Sequence, residues 1–289
     1  MKRILPFLII AIIFGGCIWA QEEVSSRRLA LRQLVEKADS GDAKALYDLA
    51  RLHESGYDSI PVDSLRSATL YFKSAEKGYA PAMNYIGFRY YTGNGFSQDL
   101  DSALYWIRKA ANMGDATAAA NLGYLLTESK EIAYDEGEAV KWLTLATEAG
   151  VPEAQMKLVE LKREVWEGLP VDSVMAIGEE YYFGRAPIAG VALLVIASEK
   201  GNSKATALLG DAYSKGVGVA YDHQKSIDYF YKAANEGDPS AQFIIGELLE
   251  IFPDAIPDSQ GAEYWYEKAS QGGVKDSEEA YERLIRIRD

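Results

Sequence analysis

The sequence predicts an all-α fold of stacked helix pairs, and three recurring features predict it. A glycine closes an Ala-rich helical run at Gly41, Gly78, Gly114, Gly150, Gly201, Gly237 and Gly273. The gaps are 37, 36, 36, 51, 36 and 36 residues, a fixed period that marks a repeat architecture. Eight residues before each of the last six glycines stands a large residue, at Leu70, Trp106, Trp142, Leu193, Tyr229 and Trp265. The third feature is a small-residue stripe, seen as Ala82, Ile86, Gly87, Tyr90 and again as Ala205, Leu209, Gly210, Tyr213. Its spacing places these residues along one face of a helix.

Each element follows from local chemistry. The run Lys73-Ser-Ala-Glu-Lys-Gly78 and its copies end in the residue that adopts a left-handed C-terminal cap at least cost. Glycine inside a helix costs about 1 kcal/mol relative to alanine. Its recurrence at Gly87, Gly123, Gly178, Gly210 and Gly246 therefore predicts close approach of a neighbouring helix. Connectors such as Tyr91-Thr-Gly93-Asn-Gly95-Phe-Ser-Gln-Asp99 and Ser214-Lys-Gly216-Val-Gly218-Val-Ala-Tyr-Asp222 read as glycine turns followed by a helix-capping Asp. Neither Gly-x-Gly follows a strand, so neither reads as a phosphate loop.

Taken together, Ala-x-x-x-Leu-Gly-x-x-Tyr, Gly-x-Gly-(Val/Phe)-x-x-Asp and Ala-x-x-Trp-x-x-Lys-Ala-Ala-x-x-Gly closely resemble the Sel-one-like repeat, a relative of the tetratricopeptide repeat. The resemblance covers about residues 42 to 273. It implies a right-handed α-solenoid of about six stacked antiparallel helix pairs with one irregular, lengthened unit, used as an adaptor for assembling complexes. On this reading residues 22–289 form a single repeat domain. Its units are 42–78, 79–114, 115–150, the irregular 151–201, 202–237 and 238–273, with a charged capping helix over 274–289. In the irregular unit, 15 additional residues suggest an added or lengthened helix from Pro152 to Trp166.

The first residues read as an export signal: Lys2 and Arg3 precede an apolar run from Ile4 to Phe14 that is interrupted by Pro6 and too short to span a bilayer. Cleavage after Ala20 is favoured, giving a signal peptide of residues 1–20. The alternative is cleavage before Cys17, with that residue lipidated to give a membrane-anchored lipoprotein. Because Cys17 is the single cysteine, no intrachain disulfide forms and stability rests on packing. The net charge of -13 argues against nucleic acid, whose phosphates are bound by cationic side chains, and favours basic or neutral partners.

Chemistry-bearing motifs are sparse, and the reading is of a non-enzyme with no cofactor and no metal. His53 and His223 fall about 170 residues apart and read as surface or capping residues. Ser74-Ala-Glu-Lys77 formally matches a Ser-x-x-Lys nucleophile motif, but it lacks the partner motifs and occupies the small packing site of Ala110, Ala146 and Ala233. The pairs Glu179-Glu180 and Glu278-Glu279 read as solvated faces, and Trp106, Trp142 and Trp265 as core.

The function expected is that of an exported scaffold in the cell envelope, periplasmic or secreted, holding another protein or peptide segment. The alternatives are an envelope-associated hydrolase and a lipid-anchored structural protein attached through Cys17, which would be the chain's one membrane contact. By analogy with related helical repeats, the partner face is lined by Arg51, Phe88, Tyr124, Glu179, Asp211 and Glu247, one place after the signature glycine. A second row follows at Glu54, Tyr91, Thr127, Tyr182, Ser214 and Glu250. Both rows pass from aromatic to acidic, which suits a segment with apolar and basic side chains.

Overall fold

The computed structural model describes residues 26–57, 60–130, 132–253 and 260–288. The expected signal peptide and Cys17 lie outside the described residues. Helix α1 covers 26–39. It is followed by α2 (Ala43–Ser55), α3 (Ser64–Glu76), α4 (Ala80–Thr92), α5 (Leu100–Asn112), α6 (Ala116–Glu128) and α7 (Glu136–Glu148). Then come α8 (Pro152–Gly168), α9 (Val171–Phe183), α10 (Pro187–Glu199), α11 (Ser203–Lys215), α12 (His223–Asn235), α13 (Pro239–Ile251), α14 (Gly261–Gln271) and α15 (Lys275–Arg288). The fold is an all-α repeat. Its helices cluster into two compact units, one up to Leu122 and one from Gly123, with the division inside α6.

All seven period glycines have φ between 87° and 95°, in the region L side chains avoid. Each seals its helix with a Schellman pair of hydrogen bonds. At Gly78, for example, the glycine N–H donates to the Ala75 carbonyl and the Tyr79 N–H to the Ser74 carbonyl. The same pair recurs from Gly41 and Asp42 through to Gly273 and Val274. Helix starts are closed by short polar side chains: Asp42, Asp115, Asn202 and Asp238 accept from backbone N–H groups of first helices, and Asp63, Asp99, Asp135 and Asp222 do so for second helices.

The glycines within the first helices do what their recurrence predicts. A Cβ on Gly87 would lie 2.5 Å from Ile107, one on Gly123 2.5 Å from Leu143, and one on Gly246 2.7 Å from the Tyr266 ring. The second helix of each pair thus rests on bare backbone. Ala82, Ile86, Ala205, Leu209, Ala241 and Ile245 lie beside these glycines in the core. Trp142 and Trp265 are buried as expected, whereas Trp106 is half-buried, its ring edge-on to Phe72 at 6.3 Å.

In the first unit α2 pairs with α3 and α4 with α5, and α3 packs on α4. Within the second unit the irregular segment resolves into three helices: α9 and α10 form the regular pair, and α8 is the added helix, packed against α7 and α10. Gln155 of α8 caps α10 by accepting from the Ile188 N–H. Beyond it α11 pairs with α12 and α13 with α14, and α15 closes on α14.

Candidate partner-binding face

In the first unit the row residues project from α2 and α4. Arg51 is exposed, Phe88 is 50% exposed, and Tyr91 is half-buried one turn along the same helix. Glu54 of the second row does not stand free. It accepts from the Tyr71 phenol at 2.9 Å and from Tyr85 and Arg89, joining α2, α3 and α4. Arg89 also lies over the Tyr85 ring, 4.8 Å from its centre, and Tyr71 and Tyr85 stack at 3.9 Å. This cluster walls a small cavity of about 140 Å³ that also touches Ser67 and Phe96. Burial, and then the hydrogen bond to Glu54, raise the Tyr85 phenol to about 12, even though Arg89 pulls it down. Tyr71 is raised further by the same two causes.

In the second unit most row residues are engaged internally. The Tyr124 phenol donates to the Glu153 carbonyl at 2.9 Å, and Glu179 pairs with Lys204 at 2.6 Å. Thr127 and Ser214 turn their hydroxyls back onto the carbonyls of Gly123 and Asp211. Tyr182 corrects the expectation of a surface anchor: it is 4% exposed, and its phenol donates to Asp211 at 2.9 Å. The cause is Gly190, whose missing side chain lets α10 settle onto the backbone of Tyr181 and Tyr182. Burial first, and Asp211 second, hold the Tyr182 phenol above its ordinary range. Asp211 is further paired with Lys215 at 2.7 Å. Glu250 accepts from Tyr266 at 2.7 Å and from Arg283, while Glu247, exposed, forms no ion pair among the described residues. The acidic character of this row is therefore partly neutralised from within.

Glu54 and Glu250 were expected in the second row of the partner face, but the side chains that hold them, Tyr71 and Arg89 in one cluster and Tyr266 and Arg283 in the other, were not. The available signal was Tyr71 and Tyr266, seven residues before their stop glycines, where the other repeats carry Ile107, Leu143, Leu194 and Phe230. His53 is a second correction, since it is 7% exposed rather than at the surface, with no hydrogen-bond partner for its Nδ1 among the described residues. It takes the place of the stripe residues Tyr90 and Leu249, which packs it into the first unit. Ser74 is fully buried, and its hydroxyl donates to the Ala43 carbonyl at 2.6 Å, a helix-packing contact. Among the described residues no group of three or more His, Cys, Asp or Glu is placed to hold a metal ion.

The Sel1 repeat model matches residues 43–79, 80–115, 116–151, 203–238 and 239–274. The chain belongs to the Sel1 repeat family. The matched segments leave out α8, α9 and α10, the lengthened unit. Sel1 repeat proteins mediate protein–protein interactions.

The chain is 32% identical over 132 residues to a chitin synthase regulator of Saccharomyces cerevisiae, covering 44% of this chain and 19% of that protein. It is 24% identical to an uncharacterized protein of Neisseria meningitidis, covering 92% and 58% respectively, and 30% identical to a Sel1-repeat-containing protein of Escherichia coli, covering 57% and 65%. It thus spans less than two thirds of the length of these curated relatives. Among solved structures it is similar to a protective antigen of uropathogenic Escherichia coli (29% identity, TM-score 0.43, 88% of this chain and 59% of that one). It is also similar to a Sel1 repeat protein from Oxalobacter formigenes (23% identity, TM-score 0.45, 84% and 93%).

Proposed function

We propose that this Sel1 repeat chain is an exported scaffold of the cell envelope, periplasmic or secreted, whose first-helix face holds a segment of another protein. The observation that carries the reading is Phe88, a large ring left half in water directly after the buried Ile86 and Gly87. Inter-repeat packing does not use that ring fully, and an aromatic anchor beside Tyr91 suits an apolar side chain of a partner. Taken by itself, the second unit offers Glu247, an exposed carboxylate that forms no ion pair among the described residues, to a basic side chain. Relatives named as regulators of another protein support a binding role over a catalytic one.

The test is crosslinking of the chain in its own cells, followed by capture with the Phe88→Ala, Tyr91→Ala variant. Loss of an anchor pair should weaken capture at least about tenfold with helix content unchanged. Unchanged capture removes the face from consideration, and turnover of a cell-wall fragment by the purified chain overturns the scaffold reading. Fatty-acid labelling of the chain against Cys17→Ala separates the released form from a lipid-anchored one.

A further inference from the structure

Charge is divided unevenly along the chain: up to Leu122 there are 14 Lys and Arg against 13 Asp and Glu, and from Gly123 onward 16 against 30. The whole of the net charge of -13 is thus owed to the second unit. In the first unit, cations gather on the outward sides of the second helices. Arg66, Lys73 and Lys77 recur at steps of 7 and 4 along α3 and its C-cap, all exposed, and Lys109 stands exposed on α5. None of the four side chains forms an ion pair among the described residues. The contrast is with Lys232, at the same repeat position as Lys73 and Lys109, which Glu236 compensates at 3.7 Å.

Helices α3 and α5 present these cations side by side. The rings of Phe72 and Trp106 meet at 6.3 Å, and a Cβ on Gly78 would lie 3.8 Å from the Met113 methyl. Around the cations the surface is apolar and aromatic, with Tyr105 58% and Met113 52% exposed. The Lys109 ammonium lies 5.6 Å from the Tyr105 ring centre and 5.2 Å from that of Trp106. The acids that share this surface are Asp39, Glu76 and Asp101.

We propose that this α3–α5 face of the first unit rests on an anionic lipid surface. The hollow beside Tyr105, about 610 Å³, is lined only by α5 and its C-cap Met113, so it has no second wall to grip a peptide. A headgroup layer needs none. Lysines whose stems lie along apolar surface reach lipid phosphates with their ammonium groups, and Tyr and Trp rings settle at the boundary between headgroups and acyl chains. No helix among the described residues is long and apolar enough to cross a membrane, so the contact is peripheral. It requires neither Cys17 nor the first-helix face.

The test is sedimentation of the full chain with phosphatidylcholine vesicles that contain phosphatidylglycerol, and with vesicles of phosphatidylcholine alone. The chain should pellet with the anionic vesicles at low salt and be released at high salt. The variant Lys73→Glu, Lys77→Glu, Lys109→Glu should partition about a hundredfold less, and Tyr105→Ala should weaken the salt-resistant part. All four side chains are exposed, and circular dichroism checks that helix content is kept. Equal pelleting with phosphatidylcholine alone, undiminished pelleting of the charge-reversed variant, or binding to soluble polyglutamate without binding to vesicles would each overturn the proposal. Because Phe88 and Tyr91 are untouched, failure here leaves the partner-capture experiment unaffected.

Discussion

Tyr266 donates its phenolic proton to Glu250 across 2.7 Å, tying the second helix of the last repeat to the first. The ring is 1% exposed, and Arg283 of α15 holds the same carboxylate, so three helices meet at one side chain. In the first unit Tyr71 and Glu54 repeat the arrangement at 2.9 Å, with Arg89 as the cation.

Replacing Tyr266 by Phe keeps the ring's packing and removes the donor, leaving Glu250 with Arg283. Denaturant unfolding should show a loss of about 1–2 kcal/mol. Tyr266→Phe combined with Glu250→Ala should cost less than the sum of the two single changes, because both remove the same contact. Strict additivity would show that the bond contributes nothing.

Gly246→Ala sets a methyl group 2.7 Å from the Tyr266 ring, and Gly123→Ala sets one 2.5 Å from Leu143. Alanine favours a helix by about 1 kcal/mol over glycine, yet overpacking typically costs about 1–3 kcal/mol. Both variants should therefore melt below the parent in a thermal scan. An increase in Tm would mean that the helix pairs are more loosely joined than their geometry indicates.

Four phenols, Tyr71, Tyr85, Tyr182 and Tyr266, are raised by burial and by donation to a carboxylate. A raised tyrosine favours the neutral form in the folded chain. Its contribution is complete below about pH 10, the unfolded value, and is lost as pH climbs toward the folded value, about 12 for Tyr85. Spectrophotometric titration should show exposed tyrosines ionising first, with helix loss accompanying the late group. A single transition near pH 10 with helix content preserved would contradict this.

The repeat was legible because its stops require a backbone that only glycine adopts cheaply, and Gly41 through Gly273 display that requirement at a fixed interval. The helix pairing was legible through Gly87 and its counterparts, since a missing side chain records contact with a neighbour. The role of Tyr182 was hidden, because row position counts residues along α9 whereas burial depends on α10, brought close by Gly190. His53 was misplaced for a related reason: its polarity argued for solvent, while its register in the stripe put it inside. The second-row acids, Glu54 and Glu250, were read as partner-facing because sequence shows carboxylates but not the tyrosines and arginines that reach them from adjoining helices.

The Schellman seal at each repeat boundary has an evolutionary corollary. Each stop is written within about six consecutive residues and owes nothing to the segment downstream. A gene encoding such a chain can gain a helix between two stops, as α8 illustrates, without rewriting the punctuation on either side. Length thereby becomes a heritable variable that selection can adjust in single-helix increments.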